Sequence, residues 1–163
     1  MIAVLDYGVG TPANVARALP GSIVTNDVRV AREADALILP GVGNFNHAML
    51  RLRASFLDTV LLTTNVPVLG ICVGMQMLYE GSEEARQGEL GLGLIKGWVK
   101  KLPKPHVGWD YVDGVGHMYF VHHYGETWMV RQGNLTGVQF HPEKSGKAGW
   151  RFLREWAMAA VPV

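Results

Sequence analysis

A chain of 163 residues, 48% hydrophobic and 18% charged, is long enough to close a core without staples and too apolar to be a disordered tail. Its net charge is +1 and no Lys/Arg run exceeds the pair at 100 and 101, which excludes the basic footprint a nucleic-acid backbone requires. The single cysteine excludes an internal disulfide framework, and no apolar stretch is long enough to cross a bilayer.

Met1 leads straight into the apolar run "IAVLDYG", with no charged segment or small-residue cleavage site, so a reducing cytoplasm is the expected setting. That run, at residues 2–7, predicts a buried strand, followed by a turn at Gly8 and Gly10 and a short helix over 14–19. "SIVT" at 22–25, "ALILP" at 36–40 and "VPVLGI" at 66–71 predict further strands, with mostly helical chain over 45–63 between the last two. Strand and helix alternating at crossover length is the pattern of a parallel sheet. From about residue 91 the pattern changes to strands and turns: "GLIKGWVKKL", "MYFVHHY", "TWMVRQ" and "LTGVQFH", expected as an antiparallel extension of the same sheet. A last helix follows Ser145, with Trp150, Leu153, Ala157 and Ala160 on its apolar face. The expectation is one domain over 1–163: an open, mostly parallel α/β sheet flanked by helices, with reactive groups at the carboxyl ends of its strands.

The lone thiol occupies one such end, in "GICVGMQ" at 70–76. There Cys72 would lie over the first N–H groups of a new helix, whose partial positive charge favours a thiolate. Gly70 and Gly74 remove the side chains that a sharp strand–turn–helix bend cannot hold, the mechanics of a nucleophile elbow, and the bend aims the Val73 N–H at the atom under attack. A buried lone cysteine is otherwise a small core hydrophobe; the flanking glycines favour the nucleophile. In "GVQFHPEKSG" a strand delivers His141, and in extended chain Glu143 falls on the same side and can fix the imidazole tautomer. The alternative is a surface His-Pro-Glu turn. If the three groups meet, Cys72, His141 and Glu143 supply nucleophile, base and orienter. A third loop, "PGVGNF" at 40–45, can turn a backbone N–H of Val42 or Gly43 inward to join that of Val73 on a developing oxyanion.

Taken together, "LDYGVG", "LPGVGNF", "LGICVGMQMLYEGSEE", "GLGLIKG", "PHVGW", "YFVHHY" and "GVQFHPEKSGKAG" resemble the class I, triad-type glutamine amidotransferases with their flavodoxin-like fold. More narrowly they resemble the family of glutaminase subunits of imidazole glycerol phosphate synthase. The resemblance implies hydrolysis of glutamine to glutamate and ammonia through a thioester on Cys72. It also implies that Gln76, Gly43 by its backbone, and Glu84 hold the substrate, and that Lys144 and Trp109 lie toward a (βα)8-barrel cyclase subunit that receives the ammonia in a heterodimer. No metal or organic cofactor is expected for this chemistry. Members of the family are usually a few tens of residues longer, the difference falling on either side of "YFVHHY", and they commonly have other residues where this chain has Asp110 and His123.

Three rival functions follow from the same residues. Cys72 with His106, His117, His122, His123 or His141 contains zinc-ligand types, but no H-E-x-x-H or C-x-x-C spacing occurs. A scaffold subunit with the same loops would release no ammonia with or without a cyclase. A glutaminase of another synthase would fail to bind that barrel.

Overall fold

The structure is a computed structural model that describes residues 1–162. Its centre is a six-stranded sheet. β1 (Ile2–Leu5), β2 (Ile23–Thr25), β3 (Ala36–Leu39), β4 (Val68–Ile71) and β9 (Leu135–Val138) are parallel, and β8 (Met129–Gln132) pairs antiparallel with β9, in the order β2-β1-β3-β4-β9-β8. The interior strands are apolar on both faces because helices cover both faces, and every residue of β3, β4 and β9 is buried.

The helices are α1 (Pro12–Ala18), α2 (Val28–Arg32), α3 (Phe45–Ala54), α4 (Leu57–Thr63), α5 (Val73–Leu78) and α6 (Gly146–Ala160). The helical stretch expected over 45–63 is two helices, because Phe56 takes a left-handed backbone (φ 61°) between them. The five-residue α2 was not foreseen; Asp27 caps it by accepting from the Arg29 N–H at 2.8 Å. On α6 the buried stripe is Gly149, Phe152 and Leu153, while Trp150 stays 38% exposed, so the apolar face is rotated from the expected one.

The antiparallel part is divided, not one extension. Only β8 extends the central sheet. The short β5 (Tyr79–Ser82), the 18-residue β6 (Ile95–Val112) and β7 (Gly116–Gly125) form a second sheet, in which β5 and β6 are parallel and β6 and β7 antiparallel. β6 runs through Pro103 and Pro105 by shifting register between Lys101 and His106, the sort of irregularity that lets a strand carry prolines. After β9 the Gln139 N–H continues the central sheet by donating to the Trp128 carbonyl, just before β8, at 2.9 Å, and the His141 N–H crosses to the second sheet by donating to the Tyr119 carbonyl of β7 at 2.9 Å. The last residues before His141 are thereby handed from one sheet to the other.

Candidate active site

Three neighbouring parallel strands, β3, β4 and β9, end side by side, with Leu39 opposite Gly70 and Ile71 opposite Val138. The loop 40–45, Cys72 and His141 follow those three ends, so adjacency in the sheet is what gathers them.

Cys72 turns from β4 into α5 with φ 53° and ψ −113°, a conformation that ordinary side chains avoid. Its N–H is fixed by the Val138 carbonyl at 2.7 Å and its own carbonyl accepts from the Gln76 N–H at 3.1 Å. The bend is tight enough to forbid side chains around it: a Cβ on Gly74 would meet the Leu39 carbonyl oxygen at 2.0 Å, and one on Gly41 would meet the Gly74 nitrogen at 2.5 Å. Backbone therefore lies on backbone, and the 40–45 loop rests against the first turn of α5. Tyr7, buried at 2% exposure, ties down the start of that loop by donating to the Pro40 carbonyl at 2.5 Å. Burial raises the Tyr7 phenol, and the nearby Cys72 raises it further, so it stays a donor.

His141 lies at the end of the strand run, but the chain after it is a 3₁₀ turn over Pro142–Lys144, not extended strand. The His141–Glu143 pairing is made by that turn: His141 Nδ1 is 2.7 Å from Glu143 Oε1, with the side chains 1% and 3% exposed. Ser145, itself buried, fixes the backbone beneath by donating to the His141 carbonyl at 2.6 Å and accepting from the Tyr119 N–H at 2.9 Å. Burial pulls the His141 pKa down from 6.5, but hydrogen bonding to Cys72 and Glu143, then their charges, outweigh it and push it up to about 9. Nε2 has no aligned hydrogen-bond partner among the described residues. The ring and the Cys72 sulfur face the same cavity, and catalytic hydrogen bonds often tighten only once substrate is bound.

These groups open on a cavity of about 290 Å³, near the small end of the range for small-molecule sites. Of the residues expected from sequence, Val42, Gly43, Cys72, Val73, Gln76, Glu84, His141 and Lys144 all line it. Glu143 lies behind His141. Trp109 is outside the cavity, 57% exposed and paired with Tyr119 on the β6–β7 ribbon. Val121, His122, His123 and Tyr124 of β7 form the remaining wall; His122 is packed and His123 exposed.

Two side chains are engaged differently from the expectation. The Glu84 carboxylate accepts from Asn44 Nδ2 at 2.9 Å and from the Phe45 N–H at 3.2 Å, closing the amino end of α3 at the cavity edge. Gln76 donates through Nε2 to the Tyr124 carbonyl at 2.9 Å and to Gln139 Oε1 at 3.2 Å. Gln139, fully buried, in turn directs Nε2 at the Cys72 sulfur at 3.6 Å. Sequence reasoning missed Gln139, although a lone amide inside the apolar run "LTGVQF" is a signal that something polar must face it.

Residues 4–127 match the family described as glutamine amidotransferase class-I. The chain is 44% identical over 184 aligned positions to the imidazole glycerol phosphate synthase subunit HisH of Exiguobacterium sibiricum, covering 96% of this chain and 94% of that one. It is 37% identical over 197 positions to the protein of the same description from Oceanobacillus iheyensis, covering 96% and 98%. Both alignments are longer than the 163 residues here, so these relatives carry residues that this chain lacks. A solved structure described as a glutamine amidotransferase superposes with a TM-score of 0.75 over 96% of this chain and 98% of that one, at 20% identity, a likeness of fold.

Proposed function

The chain belongs to the class-I glutamine amidotransferases and, within them, to the HisH subunits of imidazole glycerol phosphate synthase; from that membership we propose that Cys72, His141 and Glu143 hydrolyse glutamine and pass the ammonia to a cyclase subunit in histidine biosynthesis. The observation that carries the assignment of residues is the meeting of three strand ends at one cavity. There Cys72 shares the cavity wall with an imidazole that Glu143 holds at 2.7 Å.

The chemistry follows from those positions. His141, oriented by Glu143, takes the thiol proton as general base. The sulfur forms a bond to the carboxamide carbon, and the carbonyl oxygen gains the negative charge. The Val73 N–H, an orphan donor of the first turn of α5, and the N–H of Val42 or Gly43 accept that charge as hydrogen-bond donors. His141 then returns its proton to the departing nitrogen, the C–N bond breaks, and ammonia leaves a γ-glutamyl thioester. Water, deprotonated by His141, cleaves the thioester to glutamate and restores the thiol. Glu143 keeps Nδ1 protonated and balances the imidazolium throughout.

Gln76 and the backbone of Gly43 face the substrate carboxamide, and the free lone pairs of Glu84 face its α-ammonium at the cavity edge. Exposed Lys144 at the cavity mouth and exposed Trp109 on the ribbon meet the cyclase barrel, where a large aromatic anchors an interface. The chain acts as one domain in the cytoplasm; no described helix is long and apolar enough to cross a membrane.

The test is ammonia release from glutamine, measured with and without a cyclase subunit loaded with its nucleotide substrate. Release that rises on adding the loaded partner supports the proposal. Release in neither condition would make the chain a scaffold, and release indifferent to that partner would assign it to another synthase.

A further inference from the structure

β6 and β7 place His106 directly opposite His122, and Asp110 four residues along the same strand face. The three side chains form a line. His106 Nε2 is 2.7 Å from Asp110 Oδ2, His106 Nδ1 is 3.2 Å from His122 Nε2, and His122 Nδ1 is 2.8 Å from the Tyr124 carbonyl oxygen. The line runs inward from exposed Asp110 to His122, 6% exposed and part of the cavity wall.

Both ends of this line accept and cannot donate: a carboxylate outside and a backbone carbonyl inside. His122 Nδ1 and His106 Nε2 must therefore each carry a proton, and a third is needed between the rings. Two imidazoles holding three ring protons carry one positive charge, which Asp110 balances. The surroundings of His106 suit that charge, because its ring stacks on Phe120 with centroids 4.2 Å apart and lies 5.3 Å from Trp128. Burial lowers the pKa of His122.

The line does not stop at Tyr124. Its carbonyl accepts from both His122 and Gln76, Gln76 also donates to Gln139, and Gln139 donates to the Cys72 sulfur. We propose that Asp110, His106 and His122 are positioning residues for the thiol: they hold the Tyr124 carbonyl, and with it the Gln76–Gln139 amide pair that donates to Cys72. The proposal rests on the reading of Cys72 as the nucleophile.

Because Cys72 is the sole cysteine, its rate of alkylation by iodoacetamide reports the state of the thiol without needing substrate or partner. Asp110→Leu removes the partner that fixes His106 Nε2, freeing the ring to turn away from His122, and slows alkylation about tenfold, the effect of one lost positioning hydrogen bond. Asp110→Asn restores the rate, because the amide can turn its N–H toward His106 and satisfy the whole line with two ring protons. Recovery in Asp110→Asn separates positioning from packing. ¹⁵N spectra of the wild-type side chains, which need no variant, show His122 protonated at Nδ1. An unprotonated His122 Nδ1, an Asp110→Leu thiol as reactive as wild type, or an Asp110→Asn thiol as slow as Asp110→Leu would each overturn the inference. A wild-type thiol inert to iodoacetamide would remove the nucleophile itself, and with it both proposals.

Discussion

Replacing Gly74 with alanine sets two effects of opposite sign against each other. In an open helix the exchange stabilises by about 0.5–1 kcal/mol, because glycine loses more backbone freedom on folding. At this position the new Cβ would stand 2.0 Å from the Leu39 carbonyl oxygen and 2.9 Å from its carbon, where real Cβ contacts do not fall below 3.0 Å. Both obstacles are backbone of a fully buried strand, so no side chain can swing aside; the first turn of α5 must retreat from β3 by at least about 1 Å. Overpacking of this kind costs about 1–3 kcal/mol, which exceeds the propensity gain. The net loss, up to about 2.5 kcal/mol, lowers the melting temperature of a domain of this size by up to roughly 10 °C. The same retreat carries Cys72 and Val73 away from His141 and the 40–45 loop, and a displacement of about 1 Å can cost on the order of a hundredfold in rate. Thermal unfolding together with kcat for glutamine hydrolysis checks both halves. A Gly74→Ala protein that melts higher than its parent and turns over normally would refute the close-packed elbow.

Gln139→Leu removes the donor to the sulfur and leaves Gln76 with one acceptor fewer; it should destabilise by about 1–3 kcal/mol and reduce Cys72 alkylation, and an unchanged rate would mean the amide only fills space. The folded state binds the His141 proton more tightly than the unfolded chain does, since its pKa is raised from 6.5 to about 9. The stability this contributes is complete below pH 6.5 and is lost as pH rises through about 9. Urea midpoints measured between those limits should fall with pH, and His141→Asn should flatten the slope; parallel slopes would contradict the assignment.

The nucleophile bend was legible because its requirements are local. Gly70, Cys72 and Gly74 lie within five residues, and the close approach that demands the glycines is a property of any strand turning sharply into a helix. The meeting of the three loops was legible as an expectation only, since adjacency of β3, β4 and β9 is decided by strand order, with β8 and the whole second sheet intervening along the chain. The pairing of His141 with Glu143 was anticipated for a reason that the fold replaces, a 3₁₀ turn where extended chain was expected. Prolines 103 and 105 hid the continuation of β6, because the shift that admits them depends on the partner strand. That same shift sets His106 against His122, so the line from Asp110 to the sulfur could not be read from spacing. Gln139 was visible as an odd polar residue, yet its partners come from α5 and the β4–α5 bend, more than sixty positions away.

The central claim is that the Cys72 sulfur carries the glutamyl group between the two halves of the reaction. Acid quenching of the protein during turnover with glutamine, followed by mass analysis of the peptide containing residue 72, tests it most directly. A γ-glutamyl adduct on Cys72 is expected, vanishing in Cys72→Ala and accumulating when His141→Asn slows its hydrolysis more than its formation. Glutamine turnover with no adduct on that peptide, and undiminished in Cys72→Ala, would contradict it.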